Sequence, residues 1–186
     1  MAVTAPWNPR VLLGVGGGIA AYKIAFLASR LVQAGASVRV AMTRQATEFV
    51  GALTFEGLTG RPVIRSSMQV DPDGSVPHID AARWAQVYVI APATADLLAK
   101  LALGAADDPV ALLATTCRCP VVLCPAMNDA MWLASSTQQN RDALQRRGLQ
   151  FLGPVEGHLA EGYDAIGRMV EPEAILQRVR QMLAAP

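Results

Sequence analysis

Short runs of apolar residues alternate along the chain with longer stretches in which apolar residues recur every three or four positions. A continuous apolar run is typical of a strand buried on both faces, and the longer spacing is typical of a helix with one buried face. The runs predict strands at 11–15, 37–43, 61–66, 85–92, 120–125 and 149–154. The spaced stretches predict helices at 19–34 with Gly35 closing the helix, in the segment that ends at Gly60, at 94–103 and 109–116, as one long helix after Asn128, and at 172–183.

This alternation predicts an α/β fold of one domain over residues 1–186. Strands that alternate with helices form a doubly wound, mostly parallel sheet with helices on both faces, of the Rossmann-like or flavodoxin-like kind. Ligands of such folds bind beyond the carboxyl ends of the strands. We therefore expect the functional residues in the loops that follow the strands, and we expect residues 1–9 to be a flexible N-terminus.

Composition narrows the classes of function. The chain is 52% hydrophobic and 17% charged with a formal net charge of +1, which suits one buried core and argues against a nucleic-acid or membrane surface. We expect small molecules or further copies of the chain as partners. The first ten residues do not form an export signal, and no apolar run approaches the ~20 residues of a membrane span, so we expect a cytoplasmic protein.

The three cysteines, Cys117, Cys119 and Cys124, are odd in number, and no histidine lies near them at ligand spacing. Neither a disulfide framework nor a zinc site is indicated. We expect reduced thiols in or near the core and no metal.

A run of glycines, "GVGGGIAAYK" from Gly14 to Lys23, separates the first predicted strand from the first helix. Glycines there let backbone N–H groups approach an anion at the positive end of the helix dipole. The spacing does not match the dinucleotide fingerprint, and Met42-Thr43 stands where NAD binding would need an acidic residue, so a mononucleotide phosphate fits better. A tight turn that needs small residues for packing explains the same pattern.

Two further strand ends carry polar residues. Thr94 follows the strand at 85–92, and Asn128 follows the strand at 120–125. Either side chain taken alone is explained by helix capping. Together with the glycine turn, however, they indicate a crevice for a ligand at one edge of the sheet.

Five segments of the chain match a known family in order and spacing. The segments are "GGGIAAYK", "PHID", "IAPATADLLAKLALGAADDP", "PAMNDAMW" and "GRM". In these the chain resembles the flavin-containing cysteine decarboxylases from about Val11 to about Leu183, and the segment Pro125 to Trp132 is highly specific. The match is best to the coenzyme A branch of the family. The resemblance implies an FMN-dependent lyase that decarboxylates 4'-phosphopantothenoylcysteine to 4'-phosphopantetheine.

The resemblance also implies residue roles. FMN would be held by Gly17, Gly18, Ile19, Thr43, Gln45, Thr94, Ala95, Asp96 and Ala126. The substrate would contact Asn128, which grips its carboxylate, together with Ala160 and Met169 on a lid at 154–170. Family members form homotrimers, sometimes assembled into dodecamers, in which the flavin and the histidine of one site come from different subunits.

His78 matches the catalytic histidine of the family. FMN would oxidise the CH2–SH group of the substrate, which creates the electron sink that loss of carbon dioxide needs. A neutral imidazole with a pKa of about 6.5 suits the proton transfer at physiological pH. Without the resemblance His78 is explained as a loop histidine bonded to backbone, and His158 is expected to be a solvated loop residue.

Glu161 is a departure from the family. It stands where the lid usually carries a cysteine that donates a proton to the enethiol intermediate. A glutamate can donate a proton if its pKa is raised well above about 4.3. Glu161 is therefore a candidate catalytic acid, and an exposed lid residue without a chemical part is the alternative.

Two other functions stay open at this point. If neither Glu161 nor another proton donor completes the reaction, the enzyme stops at the enethiol, as in the oxidative decarboxylases of peptidyl C-terminal cysteine. A non-catalytic FMN-binding regulatory protein is the other alternative, although the presence of His78 and Asn128 argues against it. Flavin prenyltransferases share the architecture but not the segment "PAMNDAMW". The sequence does not decide whether the oligomer is a trimer or a dodecamer. It also does not decide whether a synthetase domain is fused to this one.

Overall fold

The structure is a computed structural model that describes residues 7–68 and 70–183. Within them, a five-stranded sheet has the order β2-β1-β3-β4-β5 and is parallel throughout. Its strands are β1 Arg10–Val15, β2 Ser37–Met42, β3 Val87–Ala93, β4 Val121–Pro125 and β5 Gln150–Phe151. This order is that of the flavodoxin-like doubly wound fold, which confirms the predicted fold class.

Helices connect the strands. They are α1 Ala21–Gln33, α2 Ala52–Thr59, α3 Pro77–Trp84, α4 Ala95–Leu103, α5 Pro109–Thr116, α6 Asp129–Leu133, α7 Ser135–Arg146 and α8 Pro172–Leu183, with a 3₁₀ turn at Gln45–Glu48. Among the residues that the structure describes, no helix is long and apolar enough to cross a membrane.

The sheet separates two hydrophobic cores because neighbouring strand residues point to opposite faces. Val11 and Leu13 of β1 pack with helices α1, α2 and α8 on one face. Leu12 between them packs with α3, α4, α5 and α7 on the other face. Strand β3 is buried along its whole length, as the unbroken apolar run at 85–92 predicts for a central parallel strand.

The predicted strand at 61–66 is wrong. Ile64 makes a single bridge to Ala41, with the Ile64 N–H donating to Val40 at 2.9 Å. Pro62 has no N–H to donate, so the pairing cannot extend toward the start of the segment. The segment therefore touches the edge of β2 without becoming a strand.

Two local predictions also change. The long helix expected after Asn128 is two helices, α6 and α7, that meet at Ala134, whose extended backbone interrupts the helix. A helix that the sequence pattern did not predict, α3, begins at Pro77, as the fixed φ of proline at a first helical position allows.

The segment at 154–170 contains an antiparallel hairpin that the sequence pattern missed, formed by β6 Val155–His158 and β7 Asp164–Arg168. Its residues are mostly exposed or half-buried, so the segment lacks the apolar run by which the other strands were recognised. The expected lid is therefore a hairpin followed by a short link to α8.

The expected flexible segment at 1–9 lies mostly outside the described residues, which begin at 7. Of the rest, Pro9 is buried and its carbonyl accepts a hydrogen bond from the Ser37 N–H at 2.9 Å. The guanidinium of Arg180 lies 5.5 Å from the ring centre of Trp7.

Candidate active site

A cavity of about 680 Å³ lies at the carboxyl ends of the parallel strands. Its size falls in the range of roughly 300–1,000 Å³ that is typical of small-molecule sites. Most of the predicted site residues line it: Gly17, Gly18, Ile19, Thr43, Gln45, Thr94, Ala95, Asp96, Ala126, Asn128, Ala160, Glu161 and Met169. They come from loops far apart in sequence, and they meet because the carboxyl ends of parallel strands share one edge of the sheet.

The glycine turn brings the start of α1 to this cavity. A Cβ atom on Gly17 would lie 2.3 Å from Cβ of Gln45, so only glycine allows this approach. No side chain caps α1 among the described residues, and no acidic residue lies in its first turn. The Ala21 N–H donates to the carbonyl of Gly18 at 2.9 Å, and the Lys23 N–H donates to that of Ala20 at 3.0 Å. The start of α1 therefore offers the positive end of its dipole to the cavity.

Two of the polar residues near this end of the cavity also have structural partners. Thr94 caps α4, as predicted, by accepting a hydrogen bond from the Leu97 N–H at 3.3 Å. Thr43 is buried, and its hydroxyl oxygen accepts a hydrogen bond from the Ala46 N–H at 3.1 Å. Each hydroxyl keeps its own proton for a further acceptor in the cavity.

Asp96 belongs to a cluster of carboxylates around Lys100. The Lys100 ammonium lies 3.5 Å from Asp96, 3.0 Å from Asp107 and 3.3 Å from Asp108. Burial works against the charged form of Lys100, but the three carboxylates outweigh it and raise the pKa of Lys100. The charge of Asp96 is thus partly balanced at the wall of the cavity.

Asn128 lies at the start of α6, where its side-chain oxygen accepts a hydrogen bond from the Ala130 N–H at 2.9 Å. Its side-chain nitrogen donates to Glu161 at 3.2 Å and to the hydroxyl of Tyr163 at 2.9 Å. Glu161 and Tyr163 belong to the turn of the hairpin β6–β7. The hairpin also docks through its backbone, because the Met127 N–H donates to the carbonyl of Gly167 at 3.1 Å.

His78 is the predicted catalytic residue that the structure does not bring to this cavity. It lies in the first turn of α3 and is not among the lining residues. Its Nδ1 atom is buried without a hydrogen-bond partner among the described residues. A buried polar atom of this kind needs an explanation, because most such atoms are paired.

His158, expected to be a solvated loop residue, is exposed to solvent, but it lies at the end of β6 and not in a loop, and it lines the cavity. Its side chain is 67% exposed, and Nδ1 lies 3.1 Å from a carboxylate oxygen of Asp164 on β7. This position could not be predicted from the sequence, because the hairpin that brings His158 to the cavity has no apolar run of its own.

Two cations at the cavity were also missed, although both lie in segments that carry the resemblance. Lys23 and Arg168 line the cavity, and both contact the carboxylate of Glu171. The hydrogen bond from Lys23, together with Arg168, lowers the pKa of Glu171. Neither cation is therefore free of a counter-charge.

Comparison with known proteins places the chain among flavoproteins. The family model described as "Flavoprotein" matches residues 5–184. The coenzyme A biosynthesis bifunctional protein CoaBC of Vibrio vulnificus strain YJ016 is 42% identical over 172 residues, which are 92% of this chain and 43% of that relative. The chain therefore spans less than half the length of this curated relative.

Solved structures give the same fold. A PPC decarboxylase in complex with pantothenoylaminoethenethiol has a TM-score of 0.86 and 30% identity, over 96% of this chain and 100% of that chain. The FMN-dependent cysteine decarboxylase SpaF has a TM-score of 0.81 and 31% identity, over 95% of this chain and 98% of that chain.

Proposed function

The chain belongs to the flavoprotein family, and we propose that it catalyses the FMN-dependent decarboxylation of 4'-phosphopantothenoylcysteine to 4'-phosphopantetheine in coenzyme A biosynthesis. The observation that carries this proposal is that one cavity joins the uncapped start of α1 to the side chain of Asn128. The start of α1 is a site for a phosphate, and the side-chain amide of Asn128 is an uncharged hydrogen-bond donor for a carboxylate. The CoaBC relative and the PPC decarboxylase structure support the choice of substrate.

The described residues fit FMN at this position. The phosphate would lie against the N–H groups of Gly17, Gly18 and Ile19, where the helix dipole favours an anion. At Gly18 the backbone is open toward the cavity, since the nearest atom to an added Cβ would be Cγ2 of Thr94 at 3.6 Å. Ala95, Asp96 and Ala126 would line the rest of the flavin site, with Thr43 and Gln45 at its phosphate end.

When bound, FMN supplies the electron acceptor that oxidises the CH2–SH group of the substrate, so that the neighbouring carboxylate can leave as carbon dioxide. The amide of Asn128 holds that carboxylate by hydrogen bonds and does not neutralise it with a full charge. Ala160 and Met169 close over the substrate from the lid side of the cavity. His78 accepts the proton from the substrate at a neutral ring nitrogen.

His78 can take this role only in the cavity of a neighbouring subunit, because it does not line the cavity of its own chain. An exposed apolar stripe supports such an assembly. Ile19, just before α1, and Tyr22 and Phe26 on α1 follow one another at helical spacing and are 64%, 60% and 45% exposed. We propose a homotrimer in which this stripe is covered and in which His78 of one subunit completes the site of the next.

To reach 4'-phosphopantetheine, the enethiol would take back a hydride equivalent, two electrons with one hydrogen, from the reduced flavin, and it would need one proton from the protein. Glu161 is the candidate donor, because it lies on the hairpin within 3.2 Å of the Asn128 amide and lines the same cavity. The position of Glu161 where the family has a lid cysteine also favours a second candidate function, oxidative decarboxylation of a C-terminal cysteine that stops at the enethiol. The similarity to SpaF fits that second function.

One assay separates these functions. The purified protein, reconstituted with FMN, is incubated with 4'-phosphopantothenoylcysteine, and the products are followed by mass spectrometry with the flavin absorbance recorded in parallel. We expect 4'-phosphopantetheine with the flavin oxidised at the end of each turnover. Accumulation of the enethiol with bleached flavin would establish the second function. If FMN binds but no carbon dioxide is released, the remaining alternative is a non-catalytic regulatory protein that binds FMN.

A further inference from the structure

The amide of Asn128 is fixed in one orientation from both ends. Its oxygen accepts the N–H of Ala130 at 2.9 Å, which is the capping bond of α6. Its nitrogen has two N–H donors and lies within reach of two acceptors, the hydroxyl of Tyr163 at 2.9 Å and the carboxylate of Glu161 at 3.2 Å. Rotating the amide by half a turn would place its oxygen against the Glu161 carboxylate, which is unfavourable.

The hydroxyl of Tyr163 has only one proton, and a neighbour takes it. Tyr163 donates to the carboxylate of Asp129 at 2.7 Å, a short distance typical of a charge-assisted bond. The Tyr163 oxygen can then only accept, and the group that donates to it is the nitrogen of Asn128. The hydrogen bond to Asp129 also raises the pKa of Tyr163, so the hydroxyl keeps its proton at physiological pH.

One N–H of the Asn128 amide donates to Tyr163, and the other N–H donates to a carboxylate oxygen. In this structure that oxygen belongs to Glu161, which is part of the same hairpin as Tyr163. Asn128 lies in the loop after β4, whereas Glu161 and Tyr163 lie in the turn of the hairpin, 33 and 35 positions further along the chain. The second N–H of Asn128 thus donates to a carboxylate at the wall of the cavity.

We propose that Tyr163, oriented by Asp129, is a positioning residue that holds the Asn128 amide so that one N–H faces a carboxylate, and that Glu161 and the substrate carboxylate compete for this N–H. The inference deepens the proposed function and rests on it. Glu161 must leave Asn128 when the substrate binds, which frees its carboxyl group for the proton transfer proposed above. Tyr163 itself touches Asn128 and not the substrate.

Binding measurements with two ligands test the positioning role. 4'-Phosphopantothenoylcysteine and 4'-phosphopantetheine differ only by the carboxylate. The H78N protein with bound FMN, in which turnover should be about 10²–10⁴-fold slower, allows both to be titrated before much substrate is converted. We expect Tyr163→Phe to weaken binding of the first about ten-fold, the loss of one hydrogen-bonded contact, and to leave the second unchanged. Asp129→Ala should behave in the same way, and the two changes together should add nothing.

Two further variants complete the comparison. Glu161→Ala should bind 4'-phosphopantothenoylcysteine several-fold more tightly, because the competing carboxylate is gone. Tyr88→Phe removes a hydroxyl that donates to Val110 in the core and should leave both affinities unchanged. Equal weakening of both ligands by Tyr163→Phe, or weaker substrate binding in Glu161→Ala, would overturn the inference.

A readout without substrate separates this inference from the proposed function. The side-chain amide of Asn128, observed by ¹⁵N NMR in the FMN-loaded protein, should shift in Tyr163→Phe and in Glu161→Ala but not in Tyr88→Phe. If neither ligand binds the H78N protein, the proposed function fails and the amide resonance alone decides the positioning role. An Asn128 resonance that is unchanged in Tyr163→Phe would then overturn it.

Discussion

The ammonium of Lys23 lies 2.9 Å from the carboxylate of Glu171 and so joins α1, at the cavity, to the chain just before α8. Arg168, at the end of the hairpin, contacts the same carboxylate. Glu171 therefore ties the hairpin to the first helix of the cavity wall. This carboxylate has its pKa lowered by its hydrogen bond from Lys23 and by Arg168.

We expect this tie to be lost in acid. A carboxylate whose pKa is lower in the folded state stabilises the fold above its unfolded pKa, and that stabilisation disappears as the pH falls through the folded pKa. Glu171→Gln should lower the free energy of unfolding by up to about 1 kcal/mol at neutral pH, a small effect because the pair is partly exposed.

Urea unfolding near pH 7 and again at about pH 3.5 checks the prediction, and the difference between the variant and the parent should shrink at the lower pH. Glu173→Gln, in the first turn of α8, is the matched control and should change little. A difference that is as large in acid as at neutral pH would show that Glu171 acts through packing.

The proposed sharing of the site between subunits makes a complementation prediction. His78→Asn should keep FMN and lose turnover by about 10²–10⁴-fold, the usual contribution of a general base. Asn128→Ala should also be inactive. If His78 serves the cavity of a neighbour, refolding the two variants together should restore part of the activity, because some sites then combine an intact His78 with an intact Asn128. No recovery in mixed oligomers of confirmed composition would mean that both residues act within one chain.

Gly17 and Gly18 should respond differently to alanine. Because a Cβ on Gly17 would lie 2.3 Å from Cβ of Gln45, Gly17→Ala should destabilise the fold by about 1–3 kcal/mol. At Gly18 the nearest contact is 3.6 Å, so Gly18→Ala should fold normally and weaken FMN binding by filling the cavity.

Thermal unfolding and FMN titration of both proteins separate these effects. Gly57→Ala, in α2 with no atom within 4 Å of an added Cβ, is the control and should stabilise the helix by about 0.5–1 kcal/mol. Normal stability of Gly17→Ala would contradict the close approach at the glycine turn.

The three thiols should differ in reactivity. The thiol of Cys117 donates a hydrogen bond to the sulfur of Cys119 and lowers the pKa of Cys119, whereas burial raises the pKa of Cys124 to about 12. Iodoacetamide at neutral pH should therefore modify Cys119 first and Cys124 only after unfolding, because the thiolate is the reactive form.

Peptide mass spectrometry over time gives the order of modification. Cys117→Ala removes the donor and should slow the reaction of Cys119, whereas Cys117→Ser keeps a donor and should slow it less. Modification of Cys124 at the rate of Cys119 would contradict the burial of Cys124.

The sequence was sufficient for the features that depend on local periodicity and on strand ends. Continuous apolar runs located the five strands of the sheet, and the residues that follow them, such as Thr94 and Ala126, line one cavity because parallel strands end on the same side. The run at 61–66 failed because a short apolar segment does not reveal whether its backbone finds a partner over its whole length.

What the tertiary structure decided depends on contacts between distant segments. The hairpin β6–β7 has no periodic apolar run, so neither His158 at the cavity nor the bonds from Asn128 to Glu161 and Tyr163 could be read from the sequence. The placement of His78 outside the cavity of its own chain is likewise a result of the path of α3. Spacing along a chain fixes which face a residue occupies, but the distance between side chains on separate loops is fixed only when the elements pack.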